Sequence, residues 1–402
     1  MRNAKLDWPW LRERLFLIIP PLCVALFLGM WASWIIDKSA YDPSSSTPIG
    51  GDFSFCWAAV SLVLGGEPGA VYDFARLKAL EKALFGVDVT VSWPYPPSYL
   101  LLLLPFGLLP YLPSLVVWLC TTLAGYLYVI RRIAPHPRMI WLALAFPGAL
   151  LNLFFGQNGF LSATFLGGGL LLLDRSPWLA GLLLACLTYK PHLAILVPVA
   201  LVAGRRWRAL LAMAIGSGAI ILVTTLALGA KVWLAFIHNI PKAMNTLETG
   251  GLGMMDMMPT VFMAVHLSGA GVVAARILHG ATMLAVVGLV VWVWRRESPP
   301  PLRNAMLVLG ILMFSPHGYV YDLAILALPM AWLGWEGYTK GWGPGEKTVL
   351  FLAWISPVVL IRLAQATHVQ LTPLVLIGLI FLVLRRALQW SPAPSWKMEI
   401  AV

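Results

Sequence analysis

Charge is scarce in this sequence. Asp, Glu, Lys and Arg make up 11% of 402 residues, and only 17 of those residues are acidic. A soluble globular chain carries roughly a quarter charged residues, so that class is excluded. Cysteine is also sparse: Cys23, Cys56, Cys120 and Cys186 show no CxxC spacing, and three lie in or beside apolar runs. They read as packing residues, with neither a disulfide nor a metal site. No GxGxxG or GxxxxGK[ST] stands where a strand would turn into a helix, which argues against nucleotide-driven transport. A DxD pair of the kind that holds a metal with a nucleotide-sugar is missing too.

Apolar surface fills the place of charge. Hydrophobic residues reach 60% and mean hydropathy is +0.82. The 19 Trp and 11 Tyr suit helices anchored at lipid headgroups. The 30 Pro and 35 Gly are better tolerated in membrane helices, where neighbours re-satisfy freed backbone groups. A net charge of +11 suggests nucleic acid at first sight. Its distribution argues otherwise, because Arg and Lys come in short clusters between apolar runs, the pattern of positive-inside anchors.

Those clusters set an expected topology. Arg2, Lys5, Arg12 and Arg14 precede the first apolar run and place the N-terminus in the cytoplasm. That run, Leu15 to Ile36, is long for a signal peptide and lacks a small-residue cleavage site, so it reads as a retained span. Arg131/Arg132/Arg138, Arg205/Arg206/Arg208, Arg295/Arg296/Arg303, Lys340/Lys347 and Arg385/Arg386 are the later cytoplasmic anchors. Threading apolar runs between them gives twelve spans near 15–36, 113–130, 139–154, 160–173, 178–189, 192–204, 209–229, 271–294, 303–315, 320–335, 348–364 and 370–386. Both termini then lie inside. Several runs are shorter than the roughly 20 residues of a straight crossing. A single kinked helix over 178–204 is an alternative, and Tyr99–Leu109 reads as a re-entrant or broken segment. The whole chain, 1–402, forms one all-α transmembrane domain. It has a large external loop at 37–96, with short surface helices at 52–65 and 70–84, and an external connection at 230–257.

Polar residues concentrate in the segments this threading places outside. Asp52 follows Gly50 and Gly51 and begins the first surface helix, either as a capping carboxylate or as a base for an acceptor hydroxyl. Lys190 and His192 flank Pro191 inside a long apolar stretch. The lysine either snorkels or joins the histidine at a helix break as an anion site, for ionisable groups at membrane depth are functional suspects. His317, in Ser315-Pro316-His317-Gly318, sits in a turn or donates to a phosphate or sugar oxygen, with Tyr319, Tyr321 and Asp322 close behind. Gln157 and Asn158, between Gly156 and Gly159, read sugar hydroxyls or tie two helices together. Glu248 and Asp256 lie in a Gly- and Met-rich connection, either an adaptable wall or gate beside a groove or a poorly ordered loop. A metal shared by Asp52, His192 and His317 has no support in their spacing.

Taken in order, these segments resemble glycosyltransferase family 87, a polyprenol-phosphate-mannose-dependent group of the GT-C class. The likeness rests on Asp52 with Phe53 and Trp57, on Gly66 to Asp73, on Trp93-Pro94-Tyr95-Pro96-Pro97, on Gly156-Gln157-Asn158, on Tyr189-Lys190-Pro191-His192 and on Ser315 to Asp322. It spans about Leu15 to Arg386. The resemblance implies a GT-C fold whose first external loop packs over the site. It implies a polyprenyl-phosphate sugar as donor substrate, no cofactor, and a glycolipid or glycan acceptor among membrane lipids. Asp52 would be the base, and Lys190, His192 and His317 would surround the donor phosphate. Gln157, Asn158, Tyr189, Tyr319, Tyr321, Asp322, Tyr95, Glu248 and Asp256 would bind sugar or acceptor. The site would face outward from a bacterial cytoplasmic membrane. The alternatives are a transporter or flippase for lipid-linked sugars, for which no two-fold internal repeat is visible, and a lipid-linked glycan polymerase or ligase.

Overall fold

The computed structural model describes residues 48–86, 92–249, 255–296 and 298–390, with isolated positions between 21 and 29. Most of the expected first span at 15–36 lies outside the described residues, as do 37–47 and 250–254. Every regular element among the described residues is helical.

Proline sets where many of these helices begin. Pro97, Pro137, Pro147, Pro177, Pro191 and Pro300 each stand in the first turn of a helix. The N–H that proline lacks is one the first turn leaves unpaired anyway. The abundance of proline thus segments the apolar sequence into short pieces.

The expected external loop and the apolar run after it form a module of three helices: α1 (Phe53–Leu64), α2 (Phe74–Phe85) and α3 (Pro97–Gly107). Asp73 caps α2 by accepting from the N–H groups of Ala75 and Arg76. Phe53, Ala59, Val71, Leu77, Trp93 and Tyr99 form the module's core, which continues onto Trp118 of α4 (Tyr111–Ile133). The two expected surface helices correspond to α1 and α2. The apolar run after them is α3, 11 residues long, about 16 Å at 1.5 Å per residue and too short to cross.

The bundle continues with α5 (Pro137–Leu144) and α6 (Pro147–Phe154), bent by 53° at their junction. Then come α7 (Gly159–Leu172), α8 (Pro177–Tyr189), α9 (Pro191–Ala203), α10 (Trp207–Leu228), α11 (Ala230–Thr249) and α12 (Val261–Arg295). A 3-10 helix, Val320–Leu326, connects α13 (Pro300–Phe314) to α14 (Ala327–Lys340), and α15 (Glu346–Thr367) and α16 (Thr372–Gln389) complete the fold. Helix α13 is buried on every side from Leu302 to Met313, as expected of a helix apolar all round. At Gly181 of α8 a Cβ would stand 2.3 Å from the carbonyl oxygen of Ala209 in α10. This small residue is what lets the two backbones approach.

Among the described residues, five helices are long and apolar enough to cross a membrane, or six if the bent pair is one span. The remaining expected spans fall on shorter helices or, for 15–36, mostly outside the described residues. α7, α8, α9 and α13 fall among the apolar helices of 10–17 residues, because prolines and polar breaks stop them early. The expected span 139–154 is two helices. The stretch 178–204 is also two, parted at Lys190. The expected connection at 230–257 is helical over Ala230–Thr249.

Basic clusters gather at one end of the bundle. Asp174 holds Arg206 at 2.8 Å and also Arg303, and Trp294 donates to the Arg303 carbonyl at 2.9 Å. Glu346 binds Arg385 at 2.8 Å and Arg386. Helix α13 runs from that end, at Arg303, to Ser315 at the other, and α14 returns to Lys340.

Candidate active site

At the end of the bundle away from those arginines, backbone meets backbone at two glycine corners. Gly51 has φ +51° and Gly156 φ +60°, conformations that glycine adopts without strain. A Cβ at Gly156 would come within 2.4 Å of the Gly50 carbonyl oxygen, and one at Gly51 within 3.1 Å of the Phe155 Cα. This approach joins the loop before α1 to the break between α6 and α7. It brings together Asp52 and Gln157, 105 positions apart, and Gln157 Nε2 donates to Asp52 Oδ2 at 2.7 Å.

Asp52 stands before α1 but its side chain makes no capping bond. The carboxylate is committed to Gln157 and stays partly exposed. Burial raises its pKa above the usual carboxylate value, and the Gln157 hydrogen bond pulls the other way.

From Gln157 a chain of polar groups runs inward. Its Oε1 accepts from Tyr95 Oη at 3.4 Å and from the Asn158 N–H at 3.3 Å. Asn158 Oδ1 accepts from Lys190 Nζ at 2.6 Å, and Tyr189 Oη donates to the Asn158 carbonyl at 3.3 Å. Lys190 stands at the break between α8 and α9 with 3% of its side chain exposed, and it forms an ion pair with Asp322. Its ammonium lies 5.3 Å from the centroid of the Tyr321 ring, which stacks on Tyr319 at 5.4 Å. The second Asp322 oxygen accepts from the Tyr319 N–H at 3.2 Å, fixing the start of the 3-10 helix. Burying one charge alone is prohibitive, and Lys190 and Asp322 are buried as a pair.

The remaining predicted residues divide. His192 has a buried Nε2 with no hydrogen-bond partner. His317 Nε2 lies 3.5 Å from Glu248 Oε1, and burial lowers the imidazole's pKa, against the opposing pull of Glu248. Asp256 lies apart from the chain of contacts. It is 2% exposed, faces His368 Nδ1 at 3.1 Å, and its carbonyl accepts from Gln370 Nε2 at 3.2 Å. Lys190, expected beside a donor phosphate, holds Asp322 and Asn158 in this structure. Next to the pair is a cavity of about 10 Å³, lined by Leu193, Thr260, Ser315, Tyr319, Asp322 and Leu323 among others, the size of one water.

Two residues beyond the sequence expectations join the site. Glu81 of α2, 3% exposed, accepts from Ser54 Oγ at 2.7 Å, and its Oε2 is buried without a partner. Burial, with a smaller push from Asp52, raises its pKa to about 7. Its position four residues after buried Leu77 puts an acid on the core face of an amphipathic helix, a signal readable from periodicity. Arg276 of α12 donates from Nη2 to Glu248 Oε2 at 2.9 Å; nothing in its local sequence announces this partner. Among the described residues, no group of three or more His, Cys, Asp or Glu side chains is placed to hold a metal ion.

The model of glycosyltransferase family 87 matches residues 93–316, more than half of the chain. The matched stretch holds Gln157, Asn158, Lys190 and His192, and stops one residue short of His317. No curated protein and no solved structure matches the chain.

Proposed function

The chain belongs to glycosyltransferase family 87, and on that ground we propose that it is an inverting transferase using a lipid-linked donor. It moves a sugar, mannose, from a polyprenyl phosphate to a lipid-linked or glycan acceptor at the outer face of a bacterial cytoplasmic membrane. The observation that carries this reading is the Asp52–Gln157 contact of 2.7 Å. It holds a partly exposed carboxylate at the mouth of a buried polar chain, facing away from the arginine-rich end. The positive-inside rule puts that basic end in the cytoplasm and Asp52 outside.

In this scheme Asp52 accepts the proton of the acceptor hydroxyl as that oxygen attacks the anomeric carbon. The new carbon–oxygen bond forms on the face opposite the phosphate. The old one breaks with its electron pair passing to a phosphate oxygen, so the anomeric centre inverts and polyprenyl phosphate leaves. A phosphate leaves readily without a strong acid, unlike the alcohol released in glycoside hydrolysis, so one carboxylate suffices. Gln157 orients the base. Tyr95, Asn158 and Tyr189 lie on the sugar side with Tyr319, Tyr321 and Asp322. His192 and His317 present ring nitrogens toward the phosphate, and Lys190, held by Asp322, keeps that wall in place.

The test is transfer of mannose from polyprenyl-phosphate mannose to a membrane lipid extract. Asp52→Asn should lower turnover by about 10²–10⁴-fold while the donor still binds. Turnover at the wild-type level would sink the base assignment, and transfer from a nucleotide-sugar alone would sink the lipid donor.

A further inference from the structure

Helix α11 runs from the loop module to Arg276, midway along α12. Its first half is tied down: Asn239 Nδ2 donates to the Trp93 carbonyl at 2.8 Å, and Phe236 meets the Tyr72 ring at 5.8 Å. Val232 is buried on the same face, as is Ala243 in the second half. Pro241 stands inside the helix and cannot donate to the carbonyl four residues earlier, which loosens the turn before it and leaves a hinge there. Beyond it, Glu248 in the last turn faces two other elements. Arg276 Nη2 donates to its carboxylate at 2.9 Å, and His317 Nε2 stands 3.5 Å from the other oxygen without a hydrogen bond.

An arginine and a histidine converging on one anion from separate elements is the chemistry that also binds a phosphate. The guanidinium fork suits carboxylate and phosphate oxygens alike. The surroundings provide further ring nitrogens. His192 Nε2 and His266 Nδ1 are buried without partners, and the His266 and His317 rings both lie against Phe262, at 5.9 and 5.6 Å. These nitrogens exceed what one carboxylate can satisfy. The side chains are graded in exposure, from Arg276 at 62% to Glu248 at 24% and His317 at 15%, so the seat opens outward at Arg276.

We infer that Glu248 is an internal stand-in for a lipid phosphate: it occupies the seat made by Arg276 and His317, and the phosphate takes that seat by displacing it. Arg276 is thereby a phosphate-binding residue, and the last turn of α11, beyond buried Ala243, swings away when the seat fills. The inference rests on the proposed use of a lipid-phosphate substrate and adds a competitor within the chain itself.

Binding of farnesyl phosphate to the purified full-length protein in detergent tests this, with farnesol and inorganic phosphate as comparison arms. A placeholder predicts opposite signs: Glu248→Gln tightens farnesyl phosphate binding, and Arg276→Ala weakens it, each by about 10-fold, the scale of one charge-assisted hydrogen bond. A merely structural clasp predicts the same sign for both, since either substitution opens it. Parallel shifts, or none, overturn the inference, and a shift equally large with farnesol removes the phosphate from it. Inorganic phosphate binding as tightly as farnesyl phosphate would overturn the lipid source. In the transfer assay KM for the lipid donor should fall in Glu248→Gln and rise in Arg276→Ala. A wild type that transfers no sugar would remove the proposed reaction and still leave the binding arms readable. Absent opposed shifts in a protein that does transfer remove only the placeholder.

Discussion

Gln157 donates to Asp52 across 105 positions of sequence, and the bond of 2.7 Å is a polar link between the loop before α1 and the helices behind it. The amide stabilises the ionised carboxylate while burial opposes it. A base must be ionised, so transfer should fall as pH drops through the raised pKa of Asp52. Gln157→Leu removes the stabilising contribution. The acid limb of the pH–rate profile should then move to higher pH, and turnover at its plateau should drop roughly 10- to 100-fold, the scale of a hydrogen bond to a charged group. A limb that stays in place, measured over the same pH range, would separate Gln157 from the base.

Glu81 predicts a pH dependence of stability rather than rate. Its pKa is raised from 4.5 to about 7 in the folded chain, so the unfolded chain ionises first as pH rises. Below the unfolded value both states hold the proton and nothing is lost. Between about 4.5 and 7 the folded state alone keeps it, and stability falls with increasing pH. In thermal unfolding followed in detergent, Glu81→Gln should flatten that decline. An unchanged slope would show that Ser54 and Glu81 are accommodated without this strain.

The Lys190–Asp322 pair gives a stability prediction with internal control. Lys190→Met or Asp322→Leu alone strands a buried charge and should cost about 3–5 kcal/mol, while the double substitution should cost much less. Denaturation of the three variants, analysed as a double-mutant cycle, measures the coupling. Additive losses would mean that the two charges are separately solvated.

Much of the architecture could be read in the chain because apolar runs, prolines and basic clusters act locally. The helices α4, α10, α12, α15 and α16 coincide with expected spans, and α1 and α2 overlap the helices expected at 52–65 and 70–84, though α1 buries most of its residues. The count of twelve crossings includes runs that form helices of only 10–17 apolar residues among the described residues. Hydropathy reports whether a segment is buried, and a half-length helix inside a bundle is as apolar as one that crosses. Helix α11 was hidden for a related reason: its buried positions, Val232, Ala243 and the polar Asn239, pack on the loop module rather than on lipid.

The candidate site was legible as residue types and not as partners. Gln157, Asn158, Lys190 and Asp322 were visible because polar side chains stand out in apolar surroundings. Which of them touch is decided by long-range packing, as with Lys190 and Asp322, 132 positions apart. Arg276 shows the converse: its local sequence is ordinary, and its interest comes wholly from its meeting His317 at Glu248.

That separation of Lys190 from Asp322 also has a consequence during synthesis. A ribosome adds roughly 5–20 residues per second, so the 132 intervening positions take on the order of ten seconds. Throughout that interval the lysine exists without its carboxylate, in a segment too apolar to rest in water. The nascent chain must therefore shelter a lone ammonium, at the lipid surface or against an insertion partner, and a chain cut short before Asp322 keeps that charge exposed to quality control.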